Sequence, residues 1–310
     1  MRAFVTGASG FVGRYLVEAL QRRGAQVAAC CGPHESDERY LTVDLNDAKA
    51  LHEALAAFRP DVVFHLAAQT FVPEALRAPI ETYRTNALGT ACLAQAVRAS
   101  GDSPRVLFAS TAEVYGARDP GEYPLHERLD LRPANPYGAS KAAAEAILLA
   151  ESRSFGTDVV IARAFNHIGP GQKEQFVVAS LASQLARIAA GGSPQLLVGN
   201  LAAARDFLDV RDVVAAYVAL ALRGERGEIY NVCGGSAVTI RDVLRELIAI
   251  ARVPVEVRED PQRLRNADIP LSVGASHKLR ERTGWAPEIP LVRSLRDVYD
   301  AARNAAAVAT

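Results

Sequence analysis

Short apolar runs alternate with longer helical patterns through the first half of this 310-residue sequence. Runs such as 62–64 and 159–161 are apolar at every position, which is typical of parallel strands that helices cover on both faces. The pattern predicts a doubly wound α/β fold around a parallel sheet. The predicted strands cover 3–6, 27–30, 41–43, 62–66 and 106–109, and the predicted helices cover 11–23, 47–58 and 80–100.

This rhythm breaks after residue 161, at a glycine-proline-glycine run that spans 169–171. Glycine and proline clusters separate the later helical patterns, which cover 176–190, 210–222, 240–251 and 291–302. A smaller α/β region therefore follows the first one. We expect the first domain to consist of 1–165 plus about 207–232, and the second to consist of about 166–206 plus 233–310.

The composition argues against several functional classes. Lysine and arginine together number 35, as do aspartate and glutamate, so no global basic field would attract nucleic acid or a membrane. No apolar run reaches the ~18 residues of a membrane span, and no signal-peptide pattern follows Met1. The four cysteines have neither disulfide nor metal spacing. We expect a cytoplasmic protein without a metal, and we assign no role to the isolated His65 and His126.

A glycine-rich turn, GASGFVG at residues 7–13, lies between the first predicted strand and the first predicted helix. Glycines at that place let the backbone turn sharply and approach phosphate groups, which face free N–H groups at the helix N-terminus. The GxxGxxG spacing in this strand-turn-helix context predicts a Rossmann-type dinucleotide site. Its residues would be Gly7, Gly10, Phe11, Val12 and Gly13.

The end of the second strand usually carries an acid that binds the ribose hydroxyls, but here it carries Cys30 and Cys31. No carboxylate would repel a 2′-phosphate there, although no arginine follows before Arg39. The sequence therefore favours NADPH and leaves NADH open. Asp44 and Leu45, at the end of the third strand, are candidates to flank the adenine, and Asp44 is equally suited to cap the next helix.

Tyr137 and Lys141 lie four residues apart at the start of a predicted helix, downstream of a strand that ends in Ser110 and Thr111. Residues four apart share one helix face, so the Lys141 ammonium is predicted to lower the pKa of the Tyr137 phenol. A tyrosine tuned in this way can give or take a substrate proton. The sequence has four lysines and nine tyrosines, which makes this spacing rare by chance.

With these motifs, the chain resembles the extended short-chain dehydrogenases/reductases over its whole length. Further matches are Asn86 in NALGT and the run RDFLDV that begins at Arg205. The resemblance implies that Tyr137 protonates the substrate oxygen during hydride transfer and that Thr111 holds this oxygen. It also implies that Lys141 bonds the nicotinamide ribose. The end of the fourth strand would line the cofactor through Leu66, Ala67 and Ala68.

Longer stretches resemble one subfamily, the GDP-4-keto-6-deoxy-D-mannose reductases that make GDP-D-rhamnose. They are QTFVPEA at 69–75, RAFNHIGPGQ at 163–172, YNVC at 230–233 and TGWAPE at 283–288. The resemblance implies reduction of the C4 ketone of a nucleotide-linked 4-keto-6-deoxyhexose, which would bind in the second region. Neither the nucleotide base nor the C4 stereochemistry of the product follows from the sequence.

The same resemblance implies a set of substrate contacts. His167 would lie where sugar and nicotinamide meet, and would also contact the cofactor. Two arginines would hold the diphosphate, because a planar guanidinium donates to phosphate oxygens in pairs. The implied substrate-binding residues are Gln69, Ser110, Thr111, Asn166, Arg205 and Arg265.

Glu113 keeps another activity open, because related nucleotide-sugar 4,6-dehydratases use a glutamate at this place to remove a C5 proton. Glu113 is therefore a candidate catalytic residue, or one that orients a substrate hydroxyl. Ala112, where dTDP-glucose dehydratases carry an aspartate, argues against a dehydratase, as does the glycine turn, which departs from the GDP-mannose dehydratase version. The alternatives are a GDP-mannose-type dehydratase, a 4-epimerase and a dinucleotide-binding sensor. A sensor would typically lack the tyrosine or the lysine.

The resemblance also implies an assembly. In the family, the helix that carries the tyrosine packs with the helix before the fifth strand to form a four-helix dimer interface. Alanine-rich stretches at 91–99 and 139–150 would permit close approach of such helices. We therefore expect a homodimer.

Overall fold

The computed structural model describes residues 1–33, 37–263 and 269–309, with side chains up to residue 307. The strands are β1 (Arg2–Thr6), β2 (Gln26–Cys31), β3 (Leu41–Thr42), β4 (Val62–His65), β5 (Arg105–Thr111), β6 (Val159–Ala164), β7 (Asn166–Ile168), β8 (Gln195–Val198), β9 (Ala204–Arg205), β10 (Phe207–Asp209), β11 (Ile229–Val232), β12 (Val238–Thr239), β13 (Glu256–Glu259) and β14 (Leu271–Ser272). The helices are α1 (Phe11–Arg22), α2 (Ala48–Phe58), α3 (Val72–Arg77), α4 (Pro79–Tyr83), α5 (Gly89–Ala99), α6 (Pro136–Phe155), α7 (Val177–Ala189), α8 (Val210–Arg223), α9 (Ile240–Ala251), α10 (His277–Thr283) and α11 (Leu291–Ala309).

A seven-stranded parallel sheet, in the order β11-β6-β5-β4-β1-β2-β3, organises the first region. This order confirms the predicted doubly wound α/β fold. The strand order reverses beside β1, and the carboxyl ends of β1, β4 and β5 meet at one edge of the sheet. In such folds that edge is where ligands bind.

Helices cover both faces of the sheet. On one face α1 and α8 contribute Leu16, Leu20 and Tyr217 to the core, and on the other face α2, α5 and α6 contribute residues such as Leu51 and Leu93. Every residue of β4 and β6 is buried. This explains why these strands carry apolar side chains, apart from His65 and Arg163, whose polar atoms have partners inside the protein.

The helix predicted over 80–100 is interrupted, and this part of the prediction is wrong. A π turn at Arg84–Leu88 separates α4 from α5. A π turn accommodates one residue more than an α turn, and here it directs Asn86 into the protein, where the side chain is buried. Because a periodic apolar pattern continues on both sides of the turn, the pattern gives no sign of the extra residue.

The second region contains three small sheets, in the orders β10-β7, β12-β9-β14 and β13-β8. Its own core lies between α7, α9 and α11, with Leu185, Leu247 and Leu295 fully buried. Within the described part of the chain, no helix is long and apolar enough to cross a membrane. The same residues contain no group of three or more His, Cys, Asp or Glu side chains that could hold a metal ion.

Three aspartates spaced by three residues tie distant segments of the chain together, and the last two of them connect the two regions. Each carboxylate accepts hydrogen bonds from a segment that lies far along the chain. Asp206 binds the N–H groups of Gly234 and Gly235, Asp209 binds the Ser294 hydroxyl, and Asp212 binds the N–H groups of Glu288 and Ile289. These three aspartates, two in the RDFLDV run and one just after it, therefore hold the later segments against β10 and α8.

Candidate active site

The turn between β1 and α1 is built by backbone packed directly on backbone. Gly7 has a φ of +69°, and a Cβ there would lie 2.7 Å from the Ala67 nitrogen. A Cβ on Gly13 would lie 2.1 Å from the Gly7 oxygen. Gly10 precedes α1 and offers no side chain to the first helical N–H groups. This cradle fits the pyrophosphate of a dinucleotide, which those N–H groups can bind.

A cavity of about 820 Å³ runs along the carboxyl edge of the sheet and reaches the second region. Most of the residues that the sequence singled out line it. They are Gly7, Gly10, Phe11, Val12, Gly13, Asp44, Leu45, Leu66, Ala67, Ala68, Gln69, Ser110, Thr111, Glu113, Tyr137, Asn166 and His167.

Tyr137 lies in the first turn of α6 and faces Thr111, the last residue of β5. The turn is fixed by Asn135, whose Oδ1 caps the helix by accepting from the Gly138 N–H at 2.9 Å. Burial raises the pKa of Tyr137, while its hydrogen bond with Thr111 acts in the opposite direction. The two hydroxyls are therefore close together at the cavity wall.

Lys141 lies one turn further along α6 and is almost completely buried. Its Nζ donates to the Ala109 carbonyl at 2.7 Å and lies 4.4 Å from the centre of the Phe108 ring. Burial lowers the pKa of Lys141 to about 7. The predicted lowering of the Tyr137 pKa is therefore wrong for this arrangement: burial of the phenol dominates, and the ammonium is hydrogen-bonded to β5.

Glu113 lies beside Tyr137. Its Oε2 accepts from Asn135 Nδ2 at 2.8 Å, so the residue that caps α6 also holds this carboxylate. The Glu113 charge adds to the burial effect that raises the pKa of Tyr137. A carboxylate held here can orient a substrate hydroxyl or accept a proton from carbon, as the sequence left open.

The end of the cavity near β2 is lined by Cys30 and Cys31, which are buried, and by Asp44. Asp44 Oδ1 accepts from the backbone N–H of Asn46, whereas α2 is capped by Asp47. The alternative reading of Asp44 as the helix cap is therefore wrong. Arg39, the first arginine after β2, forms an ion pair with Asp37 at 2.6 Å.

Two aromatic pairs, which no sequence pattern predicts, form walls of the cavity. The rings of Phe11 and His167 are parallel, with centres 6.2 Å apart, and His167 Nδ1 donates to the Phe165 carbonyl at 2.9 Å. Burial lowers the pKa of His167. On the side of the second region, Phe71 meets Phe176 edge to face at 6.0 Å. The members of each pair are about 100 or more residues apart in the sequence, so their contact becomes visible only in the folded structure.

Some predicted substrate residues have other partners. The Ser110 hydroxyl donates to Glu145, and the Gln69 amide donates to the Thr82 hydroxyl at 3.1 Å. Arg205 Nη1 donates to the Ala204 carbonyl, and Arg205 is not among the described residues that line the cavity. The other predicted diphosphate ligand, Arg265, lies outside the described residues.

A buried polar cluster supports the cavity from behind. Asn86 accepts from the Gln69 N–H at 2.8 Å and donates to the Gln69 carbonyl and to Ser140, each at 2.9 Å. Ser140 donates in turn to the Tyr137 carbonyl. The amide of Asn86 thereby fixes the chain after β4 relative to the first turn of α6.

His65 is a fully buried member of the same cluster. Thr90 donates to the Asn86 carbonyl at 2.6 Å, so Thr90 Oγ1 accepts from His65 Nε2 at 2.9 Å. His65 Nδ1 then accepts from the Thr6 hydroxyl at 2.8 Å. Burial lowers the pKa of His65 to about 3. His65 is therefore a core residue whose two ring nitrogens are both hydrogen-bonded.

Comparison with known proteins adds a family. The model of the GDP-mannose 4,6 dehydratase family matches residues 4–298. The chain is 44% identical to GDP-6-deoxy-D-mannose reductase of Pseudomonas aeruginosa over 96% of this chain and 95% of that protein. A structure of RMD from Pseudomonas aeruginosa complexed with NADPH has a TM-score of 0.89 at 41% identity, covering 98% of this chain and 99% of the other. A structure of UDP-glucose 4-epimerase from Thermus thermophilus in complex with NAD has a TM-score of 0.88 at 33% identity, and the match covers 98% of this chain and 100% of the other.

Proposed function

The chain belongs to the GDP-mannose 4,6-dehydratase family, within the extended short-chain dehydrogenases/reductases, and from this premise we propose that it is a nucleotide-sugar 4-ketoreductase. The substrate would be GDP-4-keto-6-deoxy-D-mannose, the product GDP-D-rhamnose, and the reductant NADPH or NADH. One observation carries the proposal: Tyr137 and Thr111 meet at the wall of the cavity that the glycine turn opens into. The 44% identity to a GDP-6-deoxy-D-mannose reductase supports the choice of substrate.

When bound, the dinucleotide supplies the hydride for the C4 carbon. The proposed work of the protein is to control the C4 oxygen. Thr111 donates a hydrogen bond to this oxygen and fixes its position, and Tyr137 transfers its phenolic proton to it as negative charge develops. The raised pKa of Tyr137 suits this direction, because the phenol stays protonated until the alkoxide forms.

Lys141 is proposed to stabilise the phenolate that this proton transfer leaves behind. A protonated Nζ one helical turn from Tyr137 favours the charged phenol electrostatically. Phe11, His167, Phe71 and Phe176 would exclude water from the reacting carbon, which strengthens each of these interactions.

We propose that residues 166–206 and 233–310 form the substrate domain, and that 1–165 and 207–232 form the dinucleotide domain. Support comes from the cavity, to which the second region contributes Asn166, Lys173, Phe176 and Ser272. Asn166 would bind the sugar together with Gln69, whereas the Ser110 hydroxyl is already bonded to Glu145 and would not contact the sugar. Arg205 and Arg265 would hold the diphosphate. For this the Arg205 side chain would have to turn away from the Ala204 carbonyl on β9, to which it donates.

We further propose a cytoplasmic homodimer that pairs α5 and α6 of each subunit. All four cysteines are free, which supports the cytoplasmic location. The chain before α5 exposes Leu76, Ile80 and Leu88 by about 60% each, which supports the dimer because a partner subunit could cover these apolar side chains. Sedimentation of the protein at several concentrations tests the dimer. A single species of 33 kDa at every concentration would refute it.

A second candidate, a GDP-mannose 4,6-dehydratase, is favoured by the single observation that Asn135 holds Glu113 beside Tyr137. A dehydratase needs such a base for C5, whereas a ketoreductase does not. The two candidates differ in their net use of cofactor, since a dehydratase recycles it.

A turnover assay separates these candidates. Purified protein is incubated with enzymatically generated GDP-4-keto-6-deoxy-D-mannose and either NADPH or NADH, cofactor oxidation is followed, and the sugar is identified by NMR. Stoichiometric oxidation with a 6-deoxymannose product is expected, and a 6-deoxytalose product would correct the stereochemistry. Conversion of GDP-mannose to a 4-keto-6-deoxy sugar without net cofactor use would instead establish the dehydratase. The Tyr137→Phe variant should lose turnover and keep cofactor binding, and a sensor would show no turnover to lose.

A further inference from the structure

We propose that Glu145, Arg163 and Ser110, here called the buried triad, are positioning residues that hold Lys141 in place and keep it protonated. The inference rests on the proposed reaction for its catalytic meaning. Ser110 lines the cavity, Glu145 and Arg163 are not among the described lining residues, and all three are at most 5% exposed.

The carboxylate of Glu145 is the centre of the triad. Arg163 binds it through two nitrogens, with Nε 3.0 Å from Oε1 and Nη2 2.7 Å from Oε2. Ser110 donates its hydroxyl to the same Oε1. Both carboxylate oxygens are therefore occupied, and the carboxylate is held in one orientation.

The triad joins the three elements that surround the reacting groups. Glu145 follows Lys141 by one turn of α6, Ser110 precedes Thr111 on β5, and Arg163 lies on β6. The Ala109 carbonyl, which accepts from Lys141, belongs to the residue before Ser110. A single carboxylate thus ties the helix that carries Tyr137 and Lys141 to the strand that carries Thr111.

Further hydrogen bonds fix Arg163 from its other side. Arg163 Nη1 donates to the Tyr115 hydroxyl at 3.0 Å, and Tyr115 donates to Asn231 Oδ1 at 2.7 Å. The Asn231 N–H is bound by Glu127 at 2.8 Å. This chain of bonds opposes rotation of the guanidinium away from Glu145.

Charge gives the triad a second effect. Glu145, on the same helix, and the neutral His65, on β4, interact electrostatically with Lys141, and Arg163 lies on the far side of Glu145, bonded to its carboxylate. Among them Glu145 carries the negative charge that favours the ammonium, and it opposes the burial that lowers the pKa of Lys141. Removing the Glu145 charge alone would have two effects on the ammonium. It would lose a favourable negative charge, and the positive charge of Arg163 would no longer be compensated.

Fold stability is a poor explanation for the triad. A buried ion pair seldom stabilises a protein more than apolar residues of the same volume would, because both charges must be desolvated. Another such group, Ser294, Asp209 and Arg211, has the same three chemical components away from Lys141, with the Asp209 carboxylate buried. This second group provides matched control variants.

The test measures the protonation of Lys141 directly. The sequence has four lysines, so the side-chain NMR signals of ¹³C-labelled lysine can be resolved and assigned by comparison with Lys141→Met. The signal of Lys141 is titrated in the parent, in Glu145→Gln, in Glu145→Gln/Arg163→Gln and in Asp209→Asn. No substrate is needed, so the outcome does not depend on whether the proposed reaction is correct.

We expect Glu145→Gln to lower the pKa of Lys141 by about one pH unit or more, since two unit charges one helical turn apart interact strongly at an effective dielectric constant near 20. The double variant removes both charges and should recover most of this shift. Asp209→Asn should leave the titration unchanged. If Glu145→Gln titrates like the parent, the triad does not set the protonation of Lys141.

A turnover arm covers the case in which Glu145→Gln does not fold. Ser110→Ala keeps both charges of the ion pair and removes the bond to β5. We expect kcat to fall about tenfold with KM unchanged, whereas Ser294→Ala should leave both constants unchanged. A rise in KM at constant kcat would instead make Ser110 a substrate ligand and overturn its positioning role.

Discussion

Acid should destabilise this protein through His65. The imidazole is fully buried, and Nδ1 accepts from Thr6 while Nε2 donates to Thr90. Protonation would place a second N–H against the Thr6 oxygen, which already accepts from the Ala67 N–H at 3.3 Å. The Thr6 hydroxyl would then have to turn away and lose its acceptor.

The magnitude follows from the pKa values in the two states. Burial lowers the pKa of His65 to about 3, against 6.5 in the unfolded chain. Between these values the unfolded state binds the proton and the folded state does not. The contribution of His65 is therefore complete above pH 6.5 and is lost as the pH falls toward 3. At pH 4 the loss amounts to about 3 kcal/mol of unfolding free energy.

Urea unfolding at pH 7 and at pH 4 measures this loss. The parent is compared with His65→Gln, which cannot be protonated, and with His277→Gln, which replaces an exposed histidine. His65→Gln is less stable at both pH values because it loses hydrogen bonds, but its difference between pH 7 and pH 4 should be about 3 kcal/mol smaller than in the parent. An equal difference in His65→Gln and the parent would refute the reasoning, and His277→Gln should match the parent.

Three further predictions concern the cavity. Gly13→Ala places a Cβ 2.1 Å from a carbonyl of the turn, so NADPH affinity should fall at least ~100-fold in a fluorescence titration, whereas Gly121→Ala, where a Cβ meets nothing within 4 Å, should bind normally. Cys31→Asp should weaken NADPH binding about tenfold relative to NADH by repelling the 2′-phosphate, and Cys31→Ser should not change this ratio. Asn135→Ala should cost about 1 kcal/mol of unfolding free energy through the lost helix cap, and Asn135→Asp should keep the cap but lower kcat by repelling Glu113.

The sequence predicted those features that depend on local order. Strand and helix periods repeat within a few residues, so the sheet, the glycine turn and the placement of Tyr137 and Lys141 one turn apart on α6 could be predicted directly from the chain. The direction in which the Tyr137 pKa shifts could not be predicted, because it depends on how deeply the phenol is buried and on which group accepts the hydrogen bond from Lys141. The bonds of Glu145 with Arg163 likewise depend on the neighbourhood of α6 and β6.

The π turn was missed for a related reason. Its effect is to bring Asn86 to the chain after β4, and nothing in the residues around Asn86 requires that contact. Polar residues whose partners lie far away in the sequence resemble ordinary solvated residues until the fold is known.

Asp209 and Asp212 also bear on how the chain is completed during synthesis. Translation delivers β11, the last strand of the large sheet, at residue 232, whereas Asp209 and Asp212 bind residues 288–294. Until those residues leave the ribosome, the two carboxylates lack these long-range partners, and Asp209 has only its local bonds to Arg211. The nascent protein should therefore acquire a glycine turn able to bind a nucleotide well before it has a finished second region, and a dinucleotide present at that stage would bind to an incomplete enzyme.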